Sequence, residues 1–153
     1  MEDNYTTSHY VFPEWLDTQI REHEGRVSKI YKDSEGISTI GIGRNLEGKG
    51  LSNDEIELMF SNDKRDALNE AKGLFANFDT LDAVRQGVLI EMCFQMGRGG
   101  VSEFVNMRKA IGNGDFIDAA SEMLNSKWAK QTPARAKEMA NMMHSGNHID
   151  FIV

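Results

Sequence analysis

The stretch Glu24-Gly25-Arg26-Val27-Ser28-Lys29-Ile30-Tyr31-Lys32-Asp33-Ser34-Glu35-Gly36-Ile37-Ser38-Thr39-Ile40-Gly41-Ile42-Gly43 decides the fold. Just upstream, Leu16, Ile20 and His23 recur at helical spacing behind Pro13, so the chain enters it as a helix over about residues 13 to 24 that Gly25 stops. The period then changes. Val27 to Tyr31 and Ile37 to Ile42 are short β-branched and aromatic runs separated by Asp33, Ser34, Glu35 and Gly36, the pattern of a hairpin. Glycines at 41, 43, 48 and 50 leave a third strand, over 44 to 47, only weakly specified.

Beyond the hairpin the signal is helical. Ser52 and Glu55 form a capping box that opens a long helix, with Ile56, Met59, Phe60, Ala67, Leu68 and Ala71 predicted inward. From Leu81 to Met96 the chain is apolar nearly all round, which marks a central buried helix. Further helices are predicted over about 102 to 111, 115 to 125 and 133 to 143. Gly112, Asn113 and Gly114 separate the first two, a loop from Trp128 to Thr132 the last two, and Thr132-Pro133 supplies an N-cap and first helical residue. The fold class is therefore α+β, mostly α-helical. A small β lobe (26–51) is inserted between a first helix (13–25) and the rest of a helical lobe (52–153), and residues 1–12 are a lead-in. One domain over 1–153 with a cleft between two lobes is expected, and such a cleft is the default place for a site.

Size and composition bound the function. A chain of 153 residues makes one domain and buries roughly 70% of its extended surface, enough for a core without staples. With 40% apolar and 27% charged residues it is neither disordered nor membrane-spanning, and no stretch approaches the ~20 apolar residues of a membrane helix, so stable membrane insertion is not expected. Met1 to His9 is polar and lacks a secretory pattern, which predicts synthesis in the cytoplasm. Seventeen Lys and Arg against 24 Asp and Glu leave a net charge of −7, so nucleic acid is not an expected partner. Cys93, the only cysteine, reads as a small buried hydrophobe, and the methionines as core filler.

Most chemical motifs dissolve on inspection. Gly41-Ile42-Gly43 lacks the third glycine of a dinucleotide fingerprint, because Leu46 stands there, and no P-loop lysine follows. It reads instead as strand backbone that something approaches closely. His144 and His148 have zinc-like spacing, but Gly146 breaks the helix between them and nothing completes the ligand set. The carboxylates carry more. Glu24 closes a helix, where the negative end of the dipole disfavours a charged carboxylate and so prepares a general acid. Asp33 sits in the hairpin turn and Thr39 on the return strand, so an acid, a second carboxylate and a hydroxyl can surround one cavity. Arg135 falls in the first turn of the Pro133 helix, an unfavourable place for a cation unless it is solvated or a carboxylate compensates.

At these residues the chain resembles a known family. The run Glu24-Gly25, Tyr31-Lys32-Asp33, Gly36 and Thr39-Ile40-Gly41-Ile42-Gly43, then Leu81-Asp82-Ala83-Val84-Arg85, Phe94-Gln95-Met96-Gly97, Trp128, Gln131-Thr132-Pro133 and Arg135-Ala136, is similar in order and spacing to the phage-type lysozymes of glycoside hydrolase family 24. The resemblance covers about residues 14 to 146. It implies a lysozyme-like two-lobe fold and hydrolysis of the β-1,4 bond between N-acetylmuramic acid and N-acetylglucosamine, without metal or organic cofactor.

Carried over by position, it implies that Glu24 protonates the glycosidic oxygen while Asp33 and Thr39 hold the attacking water. That arrangement inverts the anomeric centre and needs the carboxyls roughly 6.5 to 9.5 Å apart. It gives Arg135 a positioning role beside Glu24, puts Phe94 and Gln95 at the sugar-binding floor, and makes Gly43 part of the site. Aromatic core packing would account equally for Phe94. Arg44 stands where family members often carry histidine, so any local ion pair there is expected to differ, and the short, glycine-rich segment from Asn45 to Leu51 is expected to leave the β lobe smaller and the cleft more open. Peptidoglycan is the implied partner, and the protein is expected to be a monomeric endolysin. It would be made in the host cytoplasm and reach the wall through a separate membrane-permeabilising protein. A virion-associated or accessory wall-binding protein and a lytic transglycosylase are the alternatives, and the intact Asp33 weighs against both.

Overall fold

The computed structural model describes residues 11–148. Within it the chain forms two compact units, one ending at Ile56 and the other beginning at Glu57.

The first unit opens with α1 (Glu14–Glu24). Pro13 is the residue before the helix rather than its first helical position. Gly25 ends the helix with φ 72°, its amide donating to Arg21 O. That conformation suits glycine, which lacks the Cβ that makes positive φ costly. An antiparallel sheet follows, in the order β1 (Val27–Lys32), β2 (Ser38–Gly41), β3 (Arg44–Asn45). The β1–β2 register pairs Tyr31 with Thr39 and Lys32 with Ser38, with an irregularity between Val27 and Tyr31. The hairpin closes on Asp33, whose amide donates to Ile37 O at 3.0 Å and whose Oδ1 accepts from the amides of Glu35 and Ile37, both at 2.9 Å. A turn aspartate thus uses its side chain as a substitute backbone acceptor. β2 is shorter than the predicted 37–42 because Gly41 turns the backbone at φ 71°. β3 is real but only two residues long, pairing Arg44 and Asn45 with Ile40 and Thr39.

The long helix α2 (Asn53–Leu74) begins as the capping box predicts: the Ser52 amide donates to Glu55 Oε2 at 2.8 Å. Its inward stripe is shorter than predicted. Ala67 and Ala71 are buried, whereas Ile56, Met59 and Phe60 are about half exposed, so close packing on the core starts where the small residues begin.

In the second unit a 3-10 turn (Phe78–Thr80) leads to α3 (Ala83–Ser102), capped by Asp82, which accepts from the Arg85 amide. Val88, Leu89, Met92, Cys93 and Val101 of α3 lie in the core, and Gly97 kinks the helix with φ 70°. Then come α4 (Val105–Gly112), α5 (Phe116–Leu124), α6 (Lys127–Gln131) and α7 (Pro133–Ser145). α6 occupies the predicted Trp128-to-Thr132 loop. It forms because Ser126 caps it, its hydroxyl accepting from the Ala129 amide, and Trp128 is buried from it. Thr132 does not cap α7 as predicted. Its hydroxyl donates back to Trp128 O at 3.1 Å, leaving Pro133 alone to start the helix. Methionines 92, 107, 123, 139 and 143 fill the interior as expected. Arg85 ties the end of α7 down, donating to Met143 O and His144 O while stacking 3.8 Å from the Phe116 ring centre.

Candidate active site

Glu24, Asp33, Thr39 and Gly43 all belong to the first unit, on α1 and the three-stranded sheet it feeds. Glu24 reaches the sheet beside Gly43: a Cβ built there would fall 2.6 Å from Glu24 Oε2 and 2.8 Å from its Cδ. The close backbone approach suggested by the glycine pattern is thus made by the Glu24 carboxylate. Gly43 also has φ 70°, so its conformation and its missing side chain are both needed.

Thr39 is the one buried polar side chain among the described residues, 4% exposed in the middle of β2. Its hydroxyl donates to Ile37 O at 3.0 Å. With its proton committed, Thr39 Oγ1 presents lone pairs, so it can only accept from a further partner. Asp33 is divided differently. Oδ1 holds the turn through Glu35 and Ile37, which leaves Oδ2 as the acceptor not used by the hairpin. Both groups are therefore anchored to Ile37, Asp33 through its amide and Thr39 through its carbonyl.

The next residue, Ser38, is held by charge. Its amide donates to Glu47 Oε1 at 2.9 Å, and Lys32 Nζ donates to Ser38 Oγ at 2.8 Å and Glu47 Oε1 at 3.1 Å. The Ser38 amide and the Lys32 ammonium bring the Glu47 carboxyl down to about 2. Further along, the Arg44 guanidinium donates to both Glu55 oxygens and to Gly50 O, fastening β3 to the start of α2. This pair occupies the place where the resemblance led us to expect a different ion pair. Arg44 first, and then the Ser52 amide, hold the Glu55 carboxyl at about 2. Neither Glu47 nor Glu55 was singled out for such a contact by sequence, although the capping box had already fixed where Glu55 sits.

The remaining sequence-derived candidates lie in the second unit. Phe94 does not join the core of α3. It is 45% exposed and meets Phe60 edge to face, with ring centres 5.8 Å apart. Gln95 is committed in part, its Oε1 accepting from buried Trp128 Nε1 at 2.9 Å. Arg135 is exposed in the first turn of α7. Cys93 is buried, and burial pushes its thiol up to about 11, so it is no nucleophile near neutral pH.

A helix ending in a glutamate, a hairpin carrying aspartate and threonine, and an all-helical second unit are the framework of a glycoside hydrolase of the phage lysozyme family. Residues 21–143 match that family's model, and the chain belongs to it. It is 31% identical to the probable T4-type lysozyme 2 of Dictyostelium discoideum over 86% of its own length and 94% of that protein. It is 29% identical to the pre-baseplate central spike protein Gp5 of Enterobacteria phage T4, over 84% of this chain but 27% of the spike protein. It is 28% identical to the peptidoglycan hydrolase gp36 of Pseudomonas phage phiKMV, over 82% of this chain and 14% of that protein.

Proposed function

We propose that the protein is a muramidase that cleaves the β-1,4 bond between N-acetylmuramic acid and N-acetylglucosamine of peptidoglycan with inversion. Glu24 donates its proton to the glycosidic oxygen as the bond to the anomeric carbon breaks. A water that donates one hydrogen to Thr39 Oγ1 and the other to Asp33 Oδ2 keeps both lone pairs, one of which is turned toward that carbon. As the new C–O bond forms, its proton passes to Asp33.

The observation that carries this reading is the donation of the Thr39 hydroxyl to Ile37 O, which makes a buried threonine an obligate acceptor, while the same Ile37 donates its amide to an aspartate whose Oδ2 the hairpin does not use. No step uses a metal or organic cofactor. Arg135 acts as a positioning group and Phe94 and Gln95 as substrate contacts. The enzyme works as a monomer in host lysis by a phage, made in the host cytoplasm and admitted to the wall by a separate membrane-permeabilising protein.

The test is clearing of permeabilised Gram-negative cells by the wild type, Glu24→Gln and Asp33→Asn, with product analysis. Clearing by the wild type alone, giving reducing ends of inverted configuration, supports the reading. Equal clearing by all three overturns the assigned roles, and anhydro sugars would make the protein a transglycosylase. A second reading, carriage in the virion, draws on the similarity to the spike protein and is tested by immunoblotting purified particles.

A further inference from the structure

The β2–β3 ladder is left unfinished at Ser38. Thr39 pairs with Asn45, and continuing that register brings Ser38 opposite Leu46. The Leu46 amide does donate to Ser38 O at 2.9 Å, but the Ser38 amide turns instead to Glu47 Oε1, also at 2.9 Å. A carboxylate therefore stands in for the strand carbonyl at the point where β3 ends.

Lys32, the cross-strand partner of Ser38, closes the arrangement from β1 by donating to both Ser38 Oγ and Glu47 Oε1. One carboxylate, two residues beyond the end of β3, thus binds Ser38 of β2 and Lys32 of β1. The residues on either side of Ser38 serve the two groups read as holding water: Ile37 anchors Asp33 Oδ1 and the Thr39 hydroxyl, and Thr39 follows directly.

We propose that Glu47 is a positioning residue for the hydrolytic reaction: by holding the Ser38 amide it fixes the Ile37-to-Thr39 segment that orients the attacking water. The proposal rests on the assignment of Asp33 and Thr39 to that water. Glu47 acts in this proposal through the Ser38 amide and not on the substrate or the water itself. An acceptor at position 47 is what matters, since a shift of the Ser38 peptide moves the Ile37 carbonyl and the Thr39 hydroxyl together. A charge at 47 strengthens the contact with Lys32, but the pair is more than half exposed and well screened, so its charge is the lesser part.

The test is kcat and KM on solubilised peptidoglycan for Glu47→Ala, Glu47→Gln, Thr39→Val, Asp33→Asn and the Glu47→Ala/Thr39→Val double variant. All are measured at a temperature where circular dichroism shows every variant folded. Glu47→Ala is expected to lower kcat roughly tenfold to a hundredfold with KM within about twofold, because misplacement of a reacting group acts on turnover. Glu47→Gln, which keeps an oxygen acceptor, restores most of kcat. The double variant loses less than the product of the single losses, because both changes act on one water.

Unchanged kcat in Glu47→Ala, an equal loss in Glu47→Gln, or strictly multiplicative losses in the double variant would each overturn the proposal. If Asp33→Asn and Thr39→Val keep wild-type kcat, it is the assignment of the water site that has failed. If they lose it and Glu47→Ala does not, the role of Glu47 alone has failed.

Discussion

Gly43 and Glu24 touch in a way that no other residue at 43 would allow, since the position of a Cβ at 43 falls 2.6 Å from the Glu24 carboxylate oxygen. Two separate costs attach to Gly43→Ala. The backbone at φ 70° disfavours a side chain by about 1 kcal/mol, whereas the clash is with the mobile end of a glutamate that can swing aside. The expected outcome is a modest fall in thermal midpoint with activity reduced at least about tenfold, because the carboxylate is displaced. Thermal unfolding and turbidity assays on one preparation check it, and full activity would show that the contact is incidental.

Acid sensitivity follows from Glu55. Its folded-state carboxyl is depressed from 4.5 to about 2, so the stabilisation from Arg44 and the Ser52 amide is complete above 4.5 and disappears as pH falls from there toward 2. The thermal midpoint of the wild type should drop through that window. Glu55→Gln should start lower at pH 7 and change less on acidification. Parallel curves for the two proteins would remove Glu55 from the acid response, leaving Glu47 and Asp82, whose carboxyls are also depressed, as its sources.

Gln95 provides the buried indole of Trp128 with its acceptor. Replacing it with Leu leaves Nε1–H unpaired in the core, a loss of about 1–3 kcal/mol in unfolding free energy. Denaturant titration followed by tryptophan fluorescence measures it. Because Gln95 is also proposed to contact substrate, a Gln95→Leu variant that loses activity without losing stability would assign the residue to the glycan rather than to Trp128.

Cys93 should be silent in the native protein. With its thiol raised to about 11 and its side chain buried, reaction with a thiol reagent at pH 8 requires opening of the core. Labelling is expected to track unfolding across a denaturant series, and fast labelling in buffer would contradict the packing of α3.

The first helix and its hairpin were legible because their determinants are local: Gly25 must adopt positive φ and Asp33 must bond its own turn. The same locality made Glu24, Asp33 and Thr39 visible as a helix end, a turn and a return strand. What stayed hidden depends on where a side chain goes in three dimensions. Ser126 caps α6 and Thr132 turns its hydroxyl back to Trp128, so two residues with similar capping chemistry took different tasks. Phe94 sits in an apolar run yet faces out to Phe60, because the core side of α3 is already taken by Leu89, Met92 and Cys93. Glu47 follows a glycine-rich stretch with no periodicity, and its contact reaches back nine residues to the Ser38 amide.

The divided use of Asp33 matters to anyone who wants an inert version of this protein as a wall-targeting reagent. One oxygen of that side chain keeps the hairpin closed while the other is assigned to catalysis, so a replacement at 33 that removes both oxygens is expected to silence turnover and loosen the turn together. Glu24→Gln changes only the group proposed as proton donor and is expected to leave the hairpin bonding intact. A reagent made at position 24 should keep the shape that recognises glycan, whereas one made at 33 would confuse lost grip with lost cleavage.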